Sequence, residues 1–360
     1  MTAATTATPT IVTSDKVLLG GGAALTLLAG IADYGHWNPV VAFVVSAAAV
    51  CLLAALVGRS VEQLGDRFGP GATGVLQSAL GNLPELFICI FSLKAGLVNV
   101  VRAALVGSIL ANLLLVLGIA FVVGGLKHGT QQLGSERART IVVLMLLSVS
   151  AMAIPSFTHW LHTPAAAHET TFSVIVAVLL LALFALSLPF SLRRDEGDTD
   201  EGPHEAPRWP LPLALGLLAG AGVAAAFVSD WFVHALQPAM DSLSVSQTFA
   251  GLVVVAIAGN AVENVVGVQL AARGQSAYAF SVILNSPIQI ALVLAPALVL
   301  ISQIFGLASL TLVLSPLLVV VLMLSVILAA FIAFDGESTW LEGASLIVLY
   351  AIIATAFWWG

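Results

Sequence analysis

Two glutamates stand where a carboxylate is hardest to keep. In GNLPELFICIF (Gly81 to Phe91) and GNAVENVVGV (Gly259 to Val268), Glu85 and Glu263 sit inside otherwise apolar runs. A charge at the centre of a membrane-spanning helix costs at least about 2.5 kcal/mol, so an ionisable residue there is a functional candidate by default. Of the nineteen acidic residues only these two lie deep within predicted spans, and neither span holds a Lys or Arg to neutralise them. A protonated Glu making a structural hydrogen bond explains one such residue more readily than two at related positions.

The neighbours are oxygen-rich. Asn82 and Asn260 each precede a glutamate by three residues and share its helix face. Gly81 and Gly259 lie one turn before the glutamates, where a missing side chain admits another helix or an ion. Pro84 is expected to leave one carbonyl without its amide partner. In LVGSILANLLLVLG, Ser108 and Asn112 lie four apart on one face; in ILNSPIQIALVLAP, Ser286 and Gln289 lie three apart. Alone, such residues are more often glue between helices; placed after both glutamate segments, they read as lining of one site.

The chemistry this set supports is hard-cation binding. Carboxylates, amide carbonyls and hydroxyls suit Ca²⁺, whereas Zn²⁺ or Cu⁺ would want nitrogen or sulfur. Glu85 and Glu263 are the metal-contacting candidates, and two ionised carboxylates just neutralise one divalent ion. With the ion gone, two close carboxylates in a low dielectric do not both stay charged, and they take up protons. One site that holds a divalent cation or about two protons, but not both, is the minimum equipment for antiport. No cofactor is called for. No nucleophile–base pair or HExxH motif points to an enzyme.

The elements that must position these residues follow from composition. Of 360 residues 59% are hydrophobic and 9% charged, and mean hydropathy is +1.06. Soluble domains carry about 25% charged residues, so the chain reads as an all-α polytopic membrane protein, with the lipid bilayer as its partner. Apolar segments fall at about 17–33, 39–58, 72–93, 98–124, 138–155, 171–192, 211–229, 247–271, 277–302, 308–334 and 340–358, eleven in all. The runs are continuously apolar rather than alternating, which argues against strands. Residues 1–14 carry no basic side chain and no clear cleavage site follows, so the first run reads as a retained span rather than a signal peptide. No basic stripe suggests nucleic acid.

With eleven spans, one side of the membrane receives ten of the twelve Lys and Arg residues; only Lys94 and Arg102 fall on the other. The positive-inside rule then places the N-terminus in the cytoplasm and the C-terminus outside, in a plasma (inner) membrane. The seven tryptophans lie near predicted span ends, as an aromatic belt requires.

A shift of 178 residues carries Gly81, Asn82 and Glu85 onto Gly259, Asn260 and Glu263, and Ser108 onto Ser286. Five spans separate equivalent helices, and an odd number inverts the second half. The expected organisation is a segment 1–38 with one extra helix, a five-helix repeat 39–192, an acidic cytoplasmic linker 193–210, and an inverted five-helix repeat 211–360. Inverted repeats are a signature of secondary transporters, with the site near the midplane.

The motifs resemble those of the calcium/proton exchangers of the calcium:cation antiporter superfamily. GNLPELF with LVGSILANLLLVLG corresponds to the family's first motif, and GNAVEN with NSPIQIALVLAP to its second. The stretches RSVEQLGDRFGPGATGVLQSALGN and VSDWF are similar to the family's flanking text, and the resemblance covers nearly the whole chain. It implies that Glu85 and Glu263 bind the cation and exchange protons. It also implies that Asn82, Asn260, Ser108, Asn112, Ser286 and Gln289 line the site, and that the helices at 39–58 and 211–229 slide to alternate access. Three departures leave the ion open between Ca²⁺ and Na⁺. Asn264 stands where many members carry His, Asn285 and Pro287 flank Ser286, and Pro84 resembles the sodium/calcium branch.

The remaining signals are weaker. The segment Arg193 to Arg208 holds six carboxylates against three arginines but fails the EF-hand pattern, and reads as a solvated linker. His159, His162 and His168 share a short loop, Arg102 is expected to reach the outer headgroups, and Cys51 and Cys89 read as small buried hydrophobes.

Overall fold

The computed structural model describes residues 11–68, 80–134, 136–192 and 208–359; the side chains of 65–68, 136–138, 189–192 and 261–264 lie outside that set. Residues 193–207 of the acidic linker and the segment 69–79 are therefore outside the described residues. The helices are α1 (Thr13–Tyr34), α2 (Pro39–Phe68), α3 (Leu83–Lys94), α4 (Val98–His128), α5 (Glu136–Trp160), α6 (Glu169–Leu192), α7 (Leu211–Leu243), α8 (Gln247–Gly259), α9 (Ala261–Ala272), α10 (Ser276–Ile304), α11 (Pro316–Asp335) and α12 (Trp340–Ala356). Among the described residues, eight helices are long and apolar enough to cross a membrane. Their outward faces carry exposed Leu179, Leu186, Val223 and Phe331, the inverse of a water-soluble surface.

Helix α2 packs most extensively on α7, with α1 against α2, while α4 is gripped by α8, α9 and α12. The crossing of α4 and α8 is possible only because both helices lack a side chain there. A Cβ on Gly107 would stand 2.2 Å from the Leu252 carbonyl oxygen, and one on Gly251 would stand 2.3 Å from that of Val100. Small residues that let backbones touch are how helices associate where lipid removes the hydrophobic drive.

Loop contacts sort the chain ends. At one end, the strands β1 (Gln131–Gln132) and β2 (Glu337–Ser338) pair antiparallel, Gln131 opposite Ser338. At the same end His128 meets the Ala272 carbonyl at 3.2 Å. At the other end, Ser246 Oγ donates to the Phe357 carbonyl at 2.6 Å. Arg102 donates to Thr311 Oγ1 at 2.7 Å, and Thr311 donates to Glu169 at 2.5 Å. Arg102 thus turns into the protein rather than out to headgroups, because a carbonyl, a hydroxyl and a nearby carboxylate give its donors partners.

Several expectations need correction. The tryptophan belt fails at Trp209, which is fully buried. Its indole N–H donates to Asp15 at 3.2 Å, and the Gln63 side chain accepts from its backbone at 3.0 Å. Helix α7 runs on to Leu243 and closes on Ser244 in the left-handed conformation, well past residue 229. The expected span 308–334 begins as helix only at Pro316. The preceding stretch is non-helical yet buries Leu310, Leu312 and Leu314. Their backbone N–H groups donate to the hydroxyls of Ser302 (3.2 Å), Ser173 (3.1 Å) and Ser156 (2.9 Å). Non-helical backbone survives inside a membrane protein only where such partners exist.

Candidate functional site

The segment expected at 247–271 as one helix is two. Helix α8 stops at Gly259 and α9 begins at Ala261, with Asn260 between them at φ −107°, ψ 15°. The first motif behaves alike: Asn82 sits at φ −93°, ψ 17° before α3. Both ends of α3 and α9 differ by the same 178 residues. Pro84 therefore lies in the first turn of a helix rather than within a continuous one. Its missing N–H would have been unpaired there anyway, so it loosens no interior carbonyl. Glu85 is the third residue of α3, and Glu263 the third of α9, where first-turn amides and the helix dipole favour an anion. The side chain of Glu263 lies outside the described residues.

Glu85 is fully buried. Ser108 of α4 donates its hydroxyl to Glu85 Oε1. On the other side stands Gly259, where a Cβ would lie 3.2 Å from that of Glu85. The bare backbone at the second break thus makes room for the first carboxylate. From Ser108 the network crosses to the second half of the chain. Asn112 Nδ2 donates to the Ser108 carbonyl at 2.9 Å and lies 3.4 Å from Ser286 Oγ. Ser286 in turn donates to Asn260 Oδ1 at 3.2 Å. Asn82 Nδ2 lies 3.5 Å from Gln289 Oε1. Asn82, Ser108, Asn112, Asn260, Ser286 and Gln289 are all buried. One buried assembly therefore joins α3, α4, the α8–α9 break and α10.

Its free capacity is acceptor oxygen. Asn112 Oδ1 is buried with no hydrogen-bond partner among the described residues. Asn112 is the second residue of a π-helical turn, Ala111–Val116, and Gln289 immediately precedes another, Ile290–Leu294. Such turns are frequent at functional sites. A buried carboxylate and an unpaired amide oxygen, beside the hydroxyls of Ser108 and Ser286, form an all-oxygen set suited to a hard cation.

Two features escaped the sequence reading. Hydropathy does not register the breaks, although Gly followed by Asn at both sites is their trace. Cys51 of α2, which gave no signal in its apolar run, donates from Sγ to the Ala258 carbonyl at 3.6 Å, one residue before Gly259. Cys89, one turn beyond Glu85, is buried. Among the described residues no group of three or more His, Cys, Asp and Glu could hold a metal. His159 pairs instead with Glu169 at 3.3 Å.

Comparison with known proteins follows the same line. The chain is 33% identical over 345 residues to a Ca(2+)/H(+) antiporter of Aphanothece halophytica, covering 89% of this chain and 91% of that one. It is 33% identical over 351 residues to the Ca(2+)/H(+) antiporter ChaA of Bacillus subtilis, covering 95% and 97%. The solved structure of native YfkE superposes with a TM-score of 0.82 at 31% identity, covering 95% of this chain and 99% of that one. Residues 38–193 and 213–359 match the sodium/calcium exchanger protein family, and the chain belongs to that family.

Proposed function

We propose that the protein is a secondary antiporter that exports Ca²⁺ in exchange for H⁺ by alternating access at a midplane site built on Glu85 and Glu263. One observation carries this reading: Glu85 is fully buried on the first turn of a half-helix, bonded to Ser108 and packed on the backbone of the opposite break. Discontinuous helices that meet at mid-depth are how secondary transporters present both charge and carbonyls to an ion. The relatives named as Ca(2+)/H(+) antiporters support calcium as the cargo.

In this reading eleven spans comprise one extra helix and two inverted five-helix repeats, 39–192 and 211–360. The recurrence of helix bounds and π turns at an offset near 178 supports the pairing of the halves. The N-terminus faces the cytoplasm of an inner membrane and the C-terminus faces outside, which the distribution of Lys and Arg supports. In the inward-open state cytosolic Ca²⁺ displaces protons from the two carboxylates. In the outward-open state protons return and release the ion. Two carboxylates set a stoichiometry of about two protons per ion. Asn82, Asn112, Asn260, Ser108, Ser286 and Gln289 complete the lining, and α2 with α7, whose mutual packing is extensive, form the sliding unit.

The test is uptake into proteoliposomes with an imposed pH gradient, with Ca²⁺ and Na⁺ offered in parallel. Calcium uptake that dissipates the gradient is expected. Gradient collapse by Na⁺ with no calcium movement would show that the carboxylates serve sodium instead.

A further inference from the structure

An apolar groove of about 770 Å³ runs between α3 and α7, and Val223 and Phe227 on its wall are exposed. We propose that it holds one acyl chain of a phospholipid whose headgroup carries both a phosphate and a primary ammonium, such as phosphatidylethanolamine. The groove begins at Leu83, continues past Phe87 and Phe91, and ends at Lys94 and Asp230. From Leu83 to Lys94 the helix rises about 16 Å, close to the roughly 15 Å of one leaflet's hydrocarbon. The apolar part therefore matches one lipid tail in length, and the two charges stand where its headgroup would lie.

The depth is marked independently. Trp231 follows Asp230 and stacks edge-on with Tyr34, the last residue of α1, at 6.1 Å, an aromatic pair of the kind found at headgroup level. The Lys94 ammonium lies 5.8 Å above the Phe91 ring and is held at the groove mouth. A phosphate suits Lys94 and an ammonium suits Asp230. An anionic lipid without the amine would face Asp230 unpaired. A quaternary choline offers no N–H to donate. On α7 the wall contains Gly222, around which no atom lies within 4 Å of an added Cβ. Because Leu83 and Phe87 flank Glu85 in sequence, a tail seated here lies between the helix that carries the carboxylate and α7.

The experiment is native mass spectrometry of the purified full chain after equilibration with equal amounts of phosphatidylethanolamine, phosphatidylcholine and phosphatidylglycerol. Selective retention of about one phosphatidylethanolamine is expected. Lys94→Gln combined with Asp230→Asn should cut that selectivity about tenfold, the worth of one charge-assisted bond. Gly222→Leu, whose Cβ would meet no atom within 4 Å and whose side chain starts from the groove wall, should abolish retention of all three lipids while the melting temperature holds. Equal retention of the three lipids, or retention unchanged in both variants, overturns the proposal. Retention is read with no ion gradient, so this result and the fate of the antiport reading are independent.

Discussion

Replacing Glu85 by Gln removes one charge while keeping shape and hydrogen-bond capacity. The amide oxygen still accepts from Ser108, and no volume is added against Gly259. The fold should therefore survive, and the ion-free variant should melt no lower than the wild type because a buried ionisable group becomes a neutral one. Cation binding is a different matter. Glu85 is wholly removed from solvent, so water cannot replace the lost charge. Removing one partner from a buried charge pair costs about 3–5 kcal/mol, a factor of roughly 150 to several thousand in affinity. Two assays read this. Calcium at about 100 times its Kd should stabilise the wild type by roughly 2.7 kcal/mol and leave the variant's melting curve unmoved. Calcium uptake driven by a pH gradient should fall to background. A variant that keeps uptake within twofold of wild type, or that is still stabilised by calcium at that concentration, would refute the assignment of Glu85 as a cation ligand.

Further outcomes follow from the same geometry. Ser108→Ala should weaken apparent calcium affinity about tenfold to a hundredfold, since a hydrogen bond to a charged group is worth about 1.5–3 kcal/mol; concentration dependence of uptake measures it. If two protons leave for each Ca²⁺ bound, apparent affinity should fall about a hundredfold for each unit of acidification in the range where both carboxylates are protonated before binding; equilibrium binding across pH gives the slope. Gly107→Leu should lower the melting temperature markedly, because even its Cβ would lie 2.2 Å from the Leu252 carbonyl oxygen, and overpacking costs about 1–3 kcal/mol or more. Ser156→Ala should destabilise by about 1–3 kcal/mol, since its hydroxyl serves both the Leu314 N–H and the Leu312 carbonyl.

Where the apolar run was long and uninterrupted, the sequence reading of the fold was close. Helix α10 (Ser276–Ile304) matches the expected 277–302 within a few residues. It failed where backbone pairing, which hydropathy does not measure, decided the outcome. The stretch before Pro316 is apolar enough to read as helix, yet serines on α5, α6 and α10 supply its partners instead. Trp209 has the position of an interfacial residue, but Asp15 and Gln63 arrive from distant parts of the chain to bury it. Helix α7 outruns its expected end because Asp230 and His234 are polar without being helix breakers.

The sequence by itself determined the membrane class, the pair of motifs 178 residues apart, and the oxygen-only chemistry of their side chains, because these depend on residue type and spacing alone. Only the tertiary structure decided that each glutamate stands in the first turn of a helix, that Ser108 meets Glu85, and that Asn112, Ser286 and Asn260 link the halves of the chain. Those contacts join residues 23 to 174 positions apart. They exist because packing brings bare backbone at Gly107, Gly251 and Gly259 against neighbouring helices, which no local pattern encodes.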